Sequence, residues 1–159
     1  WELNKKKQTL NFSHTLEKVK QGINNEIKNK NAQIIENFAN LDSIEYPKVY
    51  LESILQNLLS NSLKYCDKKR SPLIEIKTYI NVNKEAILTF KDNGLGIDLE
   101  KHESKIFGLR KKFHHNENAR GVGLFITKAQ IESIGETISV KSKVNIGSEF
   151  KINFGPFKI

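Results

Sequence analysis

The 159-residue chain has no methionine, one tryptophan, three prolines and one cysteine, Cys66. A lone thiol excludes an intrachain disulfide, and with it a small disulfide-stapled scaffold, and it fits a reducing compartment. Three scattered prolines exclude a proline-rich linker. No apolar run approaches the ~18 residues of a membrane-spanning helix, and no signal peptide opens the chain, so the segment is expected to be soluble. Basic runs interleaved with aromatics are also missing. The net charge of +8 therefore reads as a lysine-rich solvated surface, welcoming to polyphosphate, and no nucleic-acid partner is expected. Beginning at Trp1 without any methionine, the sequence is expected to be a segment of something longer. What is present, 38% hydrophobic and 28% charged residues, describes an ordinary globular domain able to bury roughly 70% of its unfolded surface.

Periodicity supplies the elements. Ser13 can cap a helix running to about Lys28, with Leu16, Val19, Ile23 and Ile27 on one face. Gln33–Phe38 and Ser43–Glu45 read as short strands. Pro47 suits the first turn of a second helix reaching about Cys66. Leu73–Ile80 and Glu85–Lys91 read as a hairpin turned at Asn81–Lys84. A charged, glycine-bearing stretch covers about 94–120, a third helix about Val122–Ile134, and two closing strands lie near Thr137–Ser142 and Glu149–Asn153. No internal repeat is present. The pattern predicts an α/β two-layer sandwich, a mixed and mostly antiparallel sheet of about five strands packed on three helices.

The second helix carries chemistry. Its apolar positions Leu51, Ile54, Leu55, Leu58 and Leu59, with Ser62, share a core-facing arc, while Asn57, Asn61, Lys64 and Tyr65 form a polar stripe along one edge. Such an edge lets a ligand meet both dry walls and hydrogen-bonding groups; the alternative is that the asparagines tie down neighbouring loops. An amide oxygen such as that of Asn61 can hold Mg²⁺ without adding negative charge beside a triphosphate, Lys64 can meet a phosphate, and Tyr65 can offer its ring or hydroxyl to a nucleoside.

"DNGLGID", residues 92–98, follows the apolar stretch 86–90. A carboxylate at a strand end followed by Gly94 and Gly96 can accept a hydrogen bond from an exocyclic amine, which adenine has and guanine lacks at that edge. Taken alone, Asp-Asn-Gly is also strong turn chemistry. In "ARGVGLFITK", residues 119–128, two glycines open a helix whose N–H groups and dipole suit an anion, though neither the P-loop nor the dinucleotide fingerprint is matched.

Order and spacing of these pieces resemble a known family. "LQNLLSNSLKY", "DNGLGID", "KIFGLRKKFH" and "GVGLFITK" look like the N, G1, F and G2 boxes of the catalytic ATP-binding domain of sensor histidine kinases, in the GHKL superfamily that also holds gyrase, the Hsp90 chaperones and MutL. The resemblance spans about residues 12–155. It implies an upstream remnant of a linker or helical domain at 1–11, an ATP-binding catalytic domain at 12–159, and a Bergerat-type ATP site with a mobile lid.

By this resemblance Asn61 would hold Mg²⁺ with Asn57 in support, and Lys64 and Tyr65 would contact phosphate and nucleoside. Asp92 would bind the adenine amine, with Gly94 and Gly96 making room for the base. A lid from about Ile97 to Arg120 would cover the triphosphate, anchored by Phe107, with Arg110, Lys111, Lys112 or Arg120 reaching the γ-phosphate. Gly121 and Gly123, with Val122 and Leu124, would complete the ATP contacts. Asn57, Lys64 and Arg120 are the candidates for positioning phosphate. Ala119 stands where a glycine is often found, and the lid is unusually basic.

In the hydrolysing relatives a glutamate four residues before the magnesium asparagine activates water; here that place is Asn57, an amide that cannot take a proton. The chain is therefore read as holding Mg-ATP for transfer of its γ-phosphoryl to a histidine elsewhere. His14 is followed by threonine rather than the acidic residue usual after a phosphoacceptor and reads as a surface histidine, and Cys66 as a small core residue. The implied partners are the dimerisation and histidine-phosphotransfer domain of a parent kinase and, indirectly, a response regulator receiver domain. The segment itself would be monomeric and its parent a homodimer. The implied location is cytoplasmic, including the cytoplasmic part of a membrane-anchored sensor. The alternatives are a GHKL-type ATPase and a catalytically silent nucleotide-binding pseudokinase module.

Overall fold

The structure, a computed structural model, describes residues 6–102, 106–107 and 122–157. In chain order its elements are β1 (Lys7–Asn11), α1 (Phe12–Gly22), α2 (Asn24–Asn29), β2 (Gln33–Asn37), β3 (Ser43–Pro47), α3 (Lys48–Lys64), β4 (Leu73–Ile80), β5 (Glu85–Asp92), α4 (Leu99–His102), α5 (Val122–Ser133), β6 (Thr137–Lys143) and β7 (Gly147–Pro156).

Strict alternation builds the centre. In β4, Ile74, Ile76 and Thr78 are buried while Glu75 and Lys77 face water. Asn81 closes the β4–β5 hairpin, its Oδ1 accepting from the N–H groups of Asn83 at 3.0 Å and Glu85 at 2.9 Å. The resulting register pairs Ile74 with Asp92 and Ile80 with Ala86. The five-stranded sheet has the order β2-β4-β5-β7-β6, with β2 parallel to β4 and the other neighbours antiparallel. On its outer face the register sets Glu75, Lys91, Glu149 and Lys141 in one cross-strand row of alternating sign, a favourable arrangement of directly opposed charges.

The inner face meets the helices. Leu16 and Val19 of α1, and Leu51, Ile54, Leu55, Leu58 and Leu59 of α3, join Ile74, Ile76, Leu88, Phe90, Phe150 and Ile152 of the sheet in one buried core. An aromatic group closes its far end: Phe12 lies 5.6 Å from Phe38 and 6.3 Å from Phe154, and Tyr46 meets Phe154 edge-on at 5.1 Å. The expected two-layer α/β sandwich is present, with α1, α3 and α5 on the mixed sheet.

Four boundaries differ from the sequence reading. Asn11, not Ser13, caps α1, its Oδ1 accepting from the His14 N–H at 2.9 Å; the Ser13 hydroxyl instead donates to Glu36 at 2.9 Å. The first helix does not run unbroken to Lys28. It stops at Gly22, a weak helix former, and resumes at Asn24, with Ile23 between the two and buried at 8% exposure. Pro47 is the N-cap of α3, which ends at Lys64 rather than Cys66. Residues 7–11, read as an upstream remnant, form β1 and pair antiparallel with β3 from Lys7↔Pro47 to Asn11↔Ser43. Leu10 is buried there, so the folded unit begins no later than Lys7.

Candidate functional site

Asp92 closes β5, and both of its carboxylate oxygens are engaged. Oδ1 accepts from the Gly94 N–H at 2.9 Å and the Ser148 N–H at 3.3 Å. Oδ2 accepts from the Ser62 hydroxyl at 3.1 Å, whose one proton is shared with the Leu58 carbonyl, also at 3.1 Å. Burial pushes the carboxyl up from its usual range, and the donors at Gly94, Ser62 and Ser148 and the Arg70 charge pull it back. Three bonds fill three of the roughly four lone-pair directions of a carboxylate, which leaves acceptor capacity for one more donor.

That capacity borders a small cleft of about 20 Å³. Asn61 and Tyr65 line it from the end of α3, Asp92 from β5, Gly96 and Ile97 from the following loop, Leu124 from α5 and Ser148 from β7. A wider, open groove lies on the sheet's outer face, where Glu75, Lys91, Lys141 and Glu149 already oppose one another in sign.

The Asp92–Asn93–Gly94 segment is a turn as well as a wall. Asp92 accepting from Gly94 two residues on is an Asx turn, and Asn93 ties it to β4, accepting from the Leu73 N–H at 2.8 Å and donating to the Ser71 carbonyl at 3.1 Å. The two glycines answer to backbone packing. A Cβ on Gly94 would lie 2.6 Å from the Tyr65 carbonyl oxygen, and one on Gly96, where φ is +73°, would lie 2.0 Å from that of Lys143. The loop is thus held between the end of α3 and the β6–β7 turn, with the Leu95 N–H donating to the Tyr65 carbonyl at 3.0 Å.

Along α3 the polar stripe divides. The Asn57 amide donates to Thr127 Oγ1 at 3.2 Å and Ser53 Oγ at 3.5 Å, and Thr127 in turn donates to the Gly123 carbonyl at 2.8 Å. Asn57 therefore clasps α3 to the second turn of α5. One turn on, the half-buried Asn61 side chain has no hydrogen-bond partner among the described residues. Burial pushes the Tyr65 hydroxyl up, so it stays protonated and able to donate. Lys64 is exposed and does not line the cavity. Phe107 packs edge-on against Phe150 at 6.3 Å, with Lys128 Nζ 5.2 Å from its ring centre, beside the fully buried Ile106. Arg110, Lys111, Lys112, Ala119, Arg120, Gly121 and the side chain of Val122 lie outside the described residues.

Residues 47–157 match the family of histidine kinase-, DNA gyrase B- and HSP90-like ATPases. The chain belongs to this family. Among its relatives, the methanogenesis regulatory histidine kinase FilI of Methanothrix harundinacea is 32% identical over 105 residues, covering 66% of this chain and 12% of FilI. The signal transduction histidine-protein kinase ArlS of Staphylococcus aureus is 30% identical over 106 residues, 65% of this chain and 23% of ArlS. The chain thus spans less than a quarter of either relative. Full-length ShkA, solved with AMPPNP, has the same fold at a TM-score of 0.78 and 18% identity, over 95% of this chain and 31% of ShkA. The nucleotide-free catalytic domain of histidine kinase ThkA matches at 0.75 and 21%, over 94% of this chain and 95% of that domain.

Within this histidine kinase and GHKL ATPase fold, the cavity gathers Asn61, Tyr65, Asp92, Gly96, Ile97 and Leu124 from the sequence-predicted set. Gly94 holds Asp92 and Asn57 meets Gly123 and Thr127 of α5 behind it, whereas Phe107 packs on Phe150 and Lys128, which do not line it. Sequence reasoning missed Ser62, Ser148, Thr127 and Arg70. Ser62 was legible only as a polar residue on a core-facing arc, and Ser148 reaches Asp92 across 56 positions of sequence.

Proposed function

We propose that this domain binds Mg-ATP and donates its γ-phosphoryl to a histidine on a separate dimerisation and phosphoacceptor domain of a parent kinase, which passes it on to a response regulator receiver domain. The observation that carries the reading is the half-buried Asp92 carboxylate, held by three donors and with acceptor capacity left beside the Asn61 and Tyr65 cavity.

Each residue then has a task. Asp92 accepts from the adenine amine, and guanine would set a carbonyl against it. Tyr65 and Ile97 flank the nucleoside, and Leu124 with the α5 N-terminus meets the phosphates. Among the described residues no three histidine, cysteine or acidic side chains gather into a metal site. A lone amide oxygen at Asn61 suits magnesium, which commonly takes one or two protein oxygens and draws the rest from phosphate and water. When bound, the ion neutralises phosphate charge. Lys64, with Arg110 and Arg120 of the expected lid, is assigned to the same charge. The phosphorus–oxygen bond to ADP breaks as the phosphorus–nitrogen bond forms. The imidazole proton leaves to a group beside that histidine on the partner domain.

Asn57 argues against the ATPase alternative, because an amide donating to Thr127 and Ser53 cannot take a proton from water. No helix among the described residues is long and apolar enough to cross a membrane. We assign the domain to the cytoplasm, as part of a homodimeric parent that is free or membrane-anchored.

Titrating ATP, GTP and ADP with and without Mg²⁺ tests the reading. ATP should bind more tightly than GTP by about 1–3 kcal/mol, the cost of unpaired buried polar groups, and Asp92→Asn should narrow the gap. Equal affinity for both bases in the wild type would sink it.

A further inference from the structure

Arg70, in the α3–β4 connection, directs its guanidinium at the backbone of two other loops. Its Nε donates to the Asn93 carbonyl at 2.6 Å. One terminal nitrogen lies 2.8 Å from the Gly94 carbonyl, 2.7 Å from that of Asn145 and 3.4 Å from that of Ile146, its two protons shared among the three. Asp67 stands 3.7 Å away on the near side. The first loop contains Gly94, whose N–H holds Asp92 Oδ1, and continues to Gly96 and Ile97 of the cavity wall. The second leads directly into Ser148, the other N–H donor to the same oxygen. Arg70 itself does not line the cavity.

We propose that Arg70 is a positioning residue of the nucleotide site, a clamp that joins the two loops whose N–H groups aim Asp92 at the base. The assignment rests on the nucleotide reading above. Its reason is geometric: Asp92 discriminates between bases only if its free lone pair points into the cavity, and that direction is set by the Ser62 hydroxyl, by Gly94 on one loop and by Ser148 at the start of β7, where the other loop ends. The two loops already share one direct bond, from the Asn145 N–H to the Leu95 carbonyl at 2.7 Å, and the Arg70 fork adds the side-chain anchor that fixes Asn93, Gly94 and Asn145 relative to one another. The guanidinium's positive charge acts in the same sense, favouring the ionised acid that accepts from an amine. A lysine cannot replace it, since its one nitrogen cannot meet the Gly94 and Asn145 carbonyls and also supply the separate donor that Nε gives to the Asn93 carbonyl.

The test compares wild type, Arg70→Gln and Arg70→Lys, each at a temperature where circular dichroism shows it folded. Dissociation constants for ATP and GTP are measured with Mg²⁺, and amide exchange is followed at 93–97 and 145–148. In Arg70→Gln, ATP should weaken about tenfold while GTP changes little, so the ATP:GTP preference falls by a similar factor, and exchange should rise in both loops. Arg70→Lys should fail to restore the preference. An unchanged preference, or an equal loss for both nucleotides, overturns the clamp and leaves Arg70 a support of the fold alone. A wild type that does not distinguish ATP from GTP overturns the nucleotide reading itself, and the assignment of Arg70 to it.

Discussion

At the scale of single residues, Asp92 shows how a turn and the proposed binding group can share one side chain. One oxygen makes the Asx turn with Gly94 and takes a second N–H from Ser148, while the other meets Ser62. The turn and the amine acceptor, alternatives in the sequence, are compatible because a carboxylate has two oxygens. Gly96 is more constrained. Its φ of +73° and the Lys143 carbonyl 2.0 Å from any Cβ leave no room for alanine. Gly96→Ala should cost at least about 2 kcal/mol, from left-handed strain plus forced backbone movement. Gly22, with nothing within 4 Å of its Cβ position, is the contrast: Gly22→Ala should be neutral or stabilise by up to about 1 kcal/mol. Urea unfolding of both variants decides. Asn61, Tyr65 and Asp92 were legible because each lies in a short motif whose spacing is local. Ser148 and Arg70 were not, since their partners lie 56 and up to 76 residues away.

At the scale of elements, two contacts fasten helices to their surroundings. Asn57 of α3 donates to Thr127 of α5, which is fully buried. Thr127→Val keeps the shape and removes the acceptor, so the helix pair should lose about 1–3 kcal/mol, read by denaturant unfolding, and ATP binding should weaken with it. The second contact joins β3 to the turn after α5, where the Tyr46 hydroxyl donates to Glu136 at 2.8 Å. Burial pushes the Glu136 carboxyl from 4.5 up to about 7, against the opposing pulls of the Tyr46 bond and the Lys7 charge. Between those values the folded chain holds a proton that the unfolded chain releases. This group's contribution to stability therefore falls as pH rises from about 4.5 to about 7 and levels off above. Glu136→Gln keeps an acceptor for Tyr46 and should flatten that part of the melting temperature's pH dependence; an identical profile in the variant would refute the assignment.

At the scale of the whole molecule, the described residues bring together the pieces of the proposed nucleotide site without an acceptor histidine beside it. His14 is exposed on α1, in the turn capped by Asn11, and no acid follows it. Incubated with ATP labelled at the γ-phosphate, the chain should bind nucleotide yet incorporate essentially no phosphate and release little. A supplied dimerisation domain carrying the acceptor histidine should become labelled. Acid-labile label on His14 would contradict this, and brisk phosphate release without a partner would favour the ATPase branch.

The sequence by itself determined most of the elements, though not β1, the break between α1 and α2, or α4, because periods of two and of about 3.6 residues report burial locally, and it determined the α3 and Asp92 motifs, whose members lie within a few residues of one another. It also excluded Asn57 as a general base, which follows from amide chemistry alone. Only the tertiary structure decided that Lys7–Asn11 belongs to the fold, since a lone strand's pairing depends on a partner about 30 residues or more away. Only the tertiary structure revealed that Asn57 faces α5, that Gly96 is required by the Lys143 backbone, and that Arg70 and Ser148 converge on Asp92. Those outcomes depend on which loops the sheet order β2-β4-β5-β7-β6 brings side by side, and no local pattern encodes a contact between segments so far apart in the chain.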